Sequence, residues 1–111
     1  MNDSQFRKLA TALPEVVEQE HHGHPDFRIG KKVFATIGPD GDWAMVKLHP
    51  VDQDEFVKLH PESFEPVPGA WGRQGCTRVT LAEAARKPVE QALRLAWRKI
   101  APKKLRDAHD V

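Results

Sequence analysis

The sequence lacks the features that mark membrane, secreted and disulfide-bonded proteins. No apolar run approaches the ~18 residues that a bilayer-spanning helix needs, and the first residues lack the basic and then apolar pattern of a signal peptide. Cys76 is the single cysteine, which excludes an intrachain disulfide and a cysteine-rich metal site. These absences predict a cytoplasmic protein with no membrane partner.

An excess of charge of one sign is also missing. Seventeen Lys and Arg against sixteen Asp and Glu give a formal net charge of +1, which by itself does not indicate a nucleic-acid-binding protein. The charge is nevertheless uneven, because residues 86–106 carry eight basic side chains and one acidic side chain, Glu90. The basic residues of this segment are Arg86, Lys87, Arg94, Arg98, Lys99, Lys103, Lys104 and Arg106.

The length and composition predict one globular domain. The chain has 111 residues, of which 40% are hydrophobic and 30% are charged, enough for a single core. We expect residues 1–111 to form one domain, with a compact core from about residue 4 to residue 101 and a charged tail over residues 102–111. The side chains expected to be buried are Phe34, Ile37, Val46, Leu48, Val79, Leu93, Trp97 and Ile100.

Alternation of apolar and polar residues predicts five strands. Residues 26–30, 33–37, 43–48 and 76–81 alternate, and residues 63–67 are predicted to be an edge strand because Pro66 cannot donate to a sheet ladder. Along residues 43–48 and 76–81, the first, third and fifth side chains share one face, and both faces are expected to be partly covered. The segment before residue 26 is β-prone but is not counted as a strand.

Three helices are predicted from their start and stop signals. The first begins with Ser4 as the N-cap and ends at Pro14, the second begins at a capping box formed by Asp52 and Glu55, and the last begins at Pro88. The resulting order is α-β-β-β-α-β-β-α with short connections, which predicts an α+β two-layer sandwich with an antiparallel sheet and helices on one side.

Three strings in this order resemble the MmcQ/YjbR (YjbR-like) family. They are HHGHPDFRIGKKVFATI, VKLHP and PGAWGRQGCTRVTL, and the resemblance runs from about Leu13 to Pro102. It implies the order of helices and strands predicted above. It also implies a DNA-binding role, attributed to a double-wing arrangement of hairpins. In some members a loop reads Asn-Lys-Lys-His-Trp where this chain has residues 69–73, so Arg73 alone carries the basic character here.

A nucleic-acid surface is the first candidate site. It would be built from Lys31, Lys32, Arg73, Arg78 and the final helix, with Trp71 stacking on a base, because several cations must converge on one face to displace phosphate counterions. The alternative is structural. In that case the lysines are solubilising turn residues, Trp71 lies in the core, and Arg78 pairs with Glu65 or Asp42.

The histidine-rich segment is a candidate metal or small-ligand site. His21, His22 and His24 lie close to Asp26, and on an extended segment His22 and His24 would point the same way. A closed zinc site needs further ligands, for which His49 and Cys76 are available, so His22 and His24 are weak metal candidates and no cofactor is predicted.

Two further classes complete the alternatives. No nucleophile–base motif or glycine-rich phosphate loop is present, and the carboxylates Glu15, Glu18 and Glu20 share a strand face only in part, so no catalytic residue is predicted. A protein-interaction module remains an alternative, because residues 63–69 would leave an exposed sheet edge that a partner strand could extend.

Overall fold

The computed structural model describes the backbone of residues 1–111 and every side chain except that of His21. The strands are β1 (Val17–His21), β2 (His24–Ile29), β3 (Lys32–Ile37), β4 (Trp43–Lys47), β5 (Phe64–Pro66) and β6 (Cys76–Thr80). The helices are α1 (Asp3–Thr11), α2 (Pro50–Leu59), α3 (Ala70–Arg73), α4 (Arg86–Ile100) and α5 (Lys103–Ala108), with a 3-10 turn over Leu81–Glu83.

The strands form one antiparallel sheet in the order β1-β2-β3-β4-β6-β5. The predicted α+β fold with an antiparallel sheet is therefore confirmed, and residues 64–66 form the predicted edge strand. The expected number of five strands is wrong. The β-prone segment that was not counted is β1, which pairs with β2 from Val17 opposite Arg28 to His21 opposite His24.

The turn between β1 and β2 changes the geometry predicted for the histidine-rich segment. His22 and Gly23 have φ values of 51° and 83°, as a two-residue hairpin turn of type I′ requires at both central positions. The expected extended run from His22 to His24 is wrong, because the chain reverses between them. His24 begins β2, whereas His22 is exposed at the turn.

The covered face of the sheet packs against α4 and α1. Val89, Leu93 and Trp97 of α4 are fully or almost fully buried, and Phe6 of α1 meets Phe27 of β2 with ring centroids 6.1 Å apart. The indole Nε1 of Trp97 donates to the carbonyl of Pro14 at 3.0 Å, which ties α4 to the end of α1. The predicted core is confirmed except at Ile100, which is only half-buried.

A bulge in β3 places one more large side chain in this core. Phe27 pairs with Ala35 and the next residue, Arg28, pairs with Val33, so Phe34 is an extra residue on β3. Strict alternation would put Phe34 and Ala35 on opposite faces. Because of the bulge both are fully buried.

All three predicted helices begin earlier in the chain than expected, and α1 is capped by a different residue. Helix α1 begins one residue before Ser4, because Asn2 caps it and Gln5 returns a hydrogen bond to the Asn2 backbone. Helix α2 begins at Pro50 without a side-chain cap, and α4 begins at Arg86, before the expected Pro88. The predicted charged tail contains α5, whose Leu105 is buried.

The bulge predicts a large difference between two neighbouring truncations. Phe34→Ala should lower the free energy of unfolding by about 3–5 kcal/mol, because it leaves a cavity in the core. Val33→Ala, on the open side of the same strand, should lower it by about 1 kcal/mol or less. Urea denaturation followed by circular dichroism measures both, and equal losses would show that the bulge does not direct Phe34 into the core.

Candidate functional site

The second face of the sheet is not packed against α1 or α4, and we call it the open face. Antiparallel partners share a face, so the register places one row of side chains across it from β2 to β5. The row is Asp26, Thr36, Met45, Arg78 and Glu65. The neighbouring row, which includes Ala35, Val46 and Thr77, is buried on the covered face. The strands therefore separate residues of the core from residues of the open face, of which Asp26 is itself buried.

A groove of about 550 Å³ runs over the open face. Its volume lies within the ~300–1,000 Å³ of small-molecule sites, and its lining contains two cations and no carboxylate. The lining residues, which we call the open-face groove, are His24, Thr36, Trp43, Met45, Lys47, Val67, Trp71, Cys76 and Arg78. The arrangement suits a ligand that is partly apolar and negatively charged.

Trp43 and Arg78 support each other inside the groove. The guanidinium carbon of Arg78 lies 4.3 Å from the centroid of the Trp43 ring, a cation–π contact that stabilises such a pair by about 0.5–2 kcal/mol. The Trp43 ring occupies the space that a Cβ on Gly38 would need, so the glycine permits this position. Glu65 faces Arg78 across the ladder, but among the described side chains no ion pair within 4.0 Å involves Arg78. Neither of the two ion pairs considered for Arg78 is therefore formed.

Helix α3 holds Trp71 at the rim of the groove. Trp71 is 64% exposed, so the structural alternative that placed it in the core is wrong. The buried side chain of Gln53 on α2 donates from Nε2 to the carbonyl of Gly72 at 2.9 Å and to that of Cys76 at 3.1 Å. A Cβ on Gly72 would collide with the carbonyl of Val67, so the glycine allows α3 to pack closely. No local sequence pattern indicates the role of Gln53, because its hydrogen-bond partners are distant along the chain.

Two buried nitrogen atoms in the groove have no hydrogen-bond partner. Among the described side chains they are Nδ1 of His24 and Nε of Arg78. A buried polar atom without a partner costs about 1–3 kcal/mol, and native proteins leave few of them. Both residues line the groove, although these two atoms themselves lie below its accessible surface.

The predicted basic residues meet only in part. Lys31 and Lys32 are exposed at the start of β3, Lys47 ends β4, and Arg73 ends α3 just before β6. Because neighbouring strands are antiparallel, the start of β3, the end of β4 and the start of β6 lie at the same end of the sheet. We call it the basic end. The final helix joins it only through Lys99, whose Nζ donates to the carbonyl of Leu48 at 3.3 Å. The rest of α4 packs on the covered face, while Arg78 lies on the open face.

Several other charged side chains, on β2 and on α4, are already paired. Nε and Nη2 of Arg28 donate to the two carboxylate oxygens of Asp26 at 2.8 and 2.7 Å, and these hydrogen bonds raise the pKa of the Arg28 guanidinium above its usual value. On α4, Arg86 and Arg94 both pair with Glu90. The strongest charge feature of the sequence is thus partly neutralised and lies away from the groove.

The histidine-rich segment does not form a metal site among the described side chains. No group of three His, Cys, Asp or Glu side chains that could hold a metal ion occurs among them, and the side chain of His21 lies outside the described residues. His24 instead belongs to the open-face groove, at the opposite end of the sheet from Cys76. Sequence reasoning had considered His24 only as a metal ligand.

Of the three carboxylates Glu15, Glu18 and Glu20, only Glu18 and Glu20 lie on β1. Glu18 accepts from Nε of Arg7 at 2.9 and 3.1 Å, which ties β1 to α1, whereas Glu15 lies before β1 with a φ of 60°.

None of the described helices is long and apolar enough to cross a membrane.

Comparisons with known proteins agree with this architecture. The fold is similar to that of the crystal structure of Deinococcus radiodurans protein DR2400, family-model domain DUF419. That structure has a TM-score of 0.72 and 20% sequence identity, over 92% of this chain and 83% of the other. The YjbR family model matches residues 11–99, and the chain belongs to the YjbR family. A search of curated proteins gives no match.

The anchoring of α3 predicts a specific loss of stability. Gln53→Leu should lower the free energy of unfolding by about 1–3 kcal/mol, because Gly72 and Cys76 lose a buried donor. Glu55→Leu, at an exposed position of the same helix, should change it by less than about 0.5 kcal/mol. Urea denaturation gives both values, and equal stability of the two variants would mean that Gln53 does not hold α3.

Proposed function

We propose that the protein is a non-enzymatic DNA-binding module that uses the open face of its sheet. The observation that carries the proposal is the open-face groove, where Trp43 and Trp71 lie with Arg78 and Lys47 and no carboxylate contributes to the lining. Cations attract phosphate groups, and exposed aromatic rings offer surfaces on which bases stack. The groove thus combines the two kinds of contact that bind nucleic acids.

The basic end extends this surface beyond the groove. Lys31, Lys32 and Arg73 are exposed at the end of the sheet where Lys47 enters the groove. A row of cations that continues past a groove suits a polymer with repeated phosphates. Since the net charge of the chain is only +1, we expect micromolar affinity that depends strongly on salt.

A binding role fits the groove better than a catalytic one. Cys76 and His24 are the lining residues suited to act as nucleophile and base, and they lie on β6 and β2. Two strands separate β6 from β2, which sets their axes about 14 Å apart at ~4.8 Å per strand. A nucleophile and its base must lie within hydrogen-bond distance of each other, and Cys76 and His24 are too far apart for this. We further propose that this role is cytoplasmic, which the free Cys76 supports.

Fluorescence anisotropy with labelled DNA over a salt series tests the proposal. The wild-type protein should bind with a log–log salt slope of several units, about 0.9 for each phosphate contacted. Arg78→Gln should weaken binding and reduce the slope by about 1, and Lys31→Gln combined with Lys32→Gln should reduce it by up to about 2. Glu65→Gln should strengthen binding, because it removes a negative charge opposite Arg78.

The matched control is Lys104→Gln, which removes an exposed positive charge on α5. It should leave the affinity and the slope nearly unchanged. Absence of binding at low salt, or equal losses in Lys104→Gln and Arg78→Gln, would rule out the proposed surface.

A further inference from the structure

The width of the groove indicates what kind of nucleic acid it takes. Its lining reaches from His24 on β2 to Arg78 on β6. A ligand that contacts both residues must reach across β3 and β4. A lone phosphate is too small for this, whereas a nucleotide has a phosphate at one end and a polar base edge at the other.

Trp71 adds a requirement for an accessible ring face. Its indole is 64% exposed at the groove rim, and Gln53 and Gly72 fix the helix that carries it. A ring held in this way stacks on a flat partner without a large loss of conformational freedom. In a duplex the faces of the bases are covered by their neighbours, so contact with Trp71 requires a base step to unstack, whereas an unpaired base stacks without that cost.

We propose that the open-face groove binds unpaired nucleotides of single-stranded DNA. This inference rests on the proposed DNA-binding function. Trp71 stacks on a base, Arg78 and Lys47 contact phosphate oxygens, and the imidazole of His24 contacts a polar base edge at the other end of the groove. The basic end favours a strand over a free nucleotide, because Lys31, Lys32 and Arg73 lie beyond the groove, where only the next phosphates of a polymer can reach.

The experiment compares three probes on tag-free protein. They are a single strand of about 12 thymidines, within the ~4–16 nucleotides that a small domain covers, a mixed-sequence duplex of equal length, and thymidine monophosphate. Binding is followed by anisotropy for the labelled DNAs and by tryptophan fluorescence for all three. Trp97 is fully buried and supplies a constant background. We expect the single strand to bind most tightly and to quench the fluorescence.

Variants then locate the contact. Trp71→Ala should weaken single-strand binding by roughly 5- to 100-fold, and Trp71→Phe should restore most of it. Leu59→Ala, which truncates another exposed apolar side chain at 65% exposure, is the matched control and should have no effect. His24→Phe keeps a ring of similar size but removes both nitrogens, and it should weaken binding by about 3- to 10-fold. Circular dichroism of each variant checks that the fold is retained.

The outcomes separate this inference from the proposed function. Salt-dependent duplex binding at equal or higher affinity, unchanged by Trp71→Ala, would overturn the single-strand assignment and leave DNA binding in place. Equal affinity for thymidine monophosphate and the single strand would overturn it in favour of a free nucleotide. Binding of none of the probes at low salt would overturn both.

Discussion

The packing of α4 on one face of the sheet is the interaction on which the rest of the structure depends. Val89, Leu93 and Trp97 cover the central strands, and Trp97 also bonds to the carbonyl that follows α1. Burial of large apolar side chains is the main source of stability in a domain of this size. Because α1 and α4 both lie on that face, the opposite face is left open across several strands. Stability therefore resides on one side of the sheet, and the side chains available to a ligand lie on the other.

The open face has its own means of staying ordered without a helix above it. Arg78 lies over Trp43, and Trp43 lies over Gly38, so the charged and aromatic groups of the groove hold each other in place. At the rim, the amide of Gln53 bonds to the backbone on both sides of the turn that follows α3. Such preorganisation lowers the entropy that a bound ligand must otherwise remove. The paired Asp26 and Arg28 leave Arg78 and Lys47 as the cations of the groove.

Local patterns predicted much of this fold. The two-residue period placed Trp43 and Met45 on one face and Ala44 and Val46 on the other, because strands that are half-buried must alternate. The same reasoning missed β1, whose sequence VEQEH is mostly polar, and the extra residue Phe34, because a bulge breaks the period. The site was less predictable, since it depends on contacts between distant segments. Arg78 and Trp71 were candidates from the sequence, but nothing local places Gln53 under α3 or puts α4 on the face opposite Arg78.

The division between the two faces also affects how the family can diverge. In β4 and β6, each residue on the covered face is followed by one on the open face, so the open face can change at every second position while the core stays the same. The packing positions Ala44, Val46, Thr77 and Val79 can stay as they are while Trp43, Met45, Cys76 and Arg78 change. A protein with the same fold at 20% identity illustrates how far sequences can drift on this scaffold. Relatives are therefore best compared by reading the covered-face and open-face positions of these strands separately, because packing in the core constrains the first set and not the second.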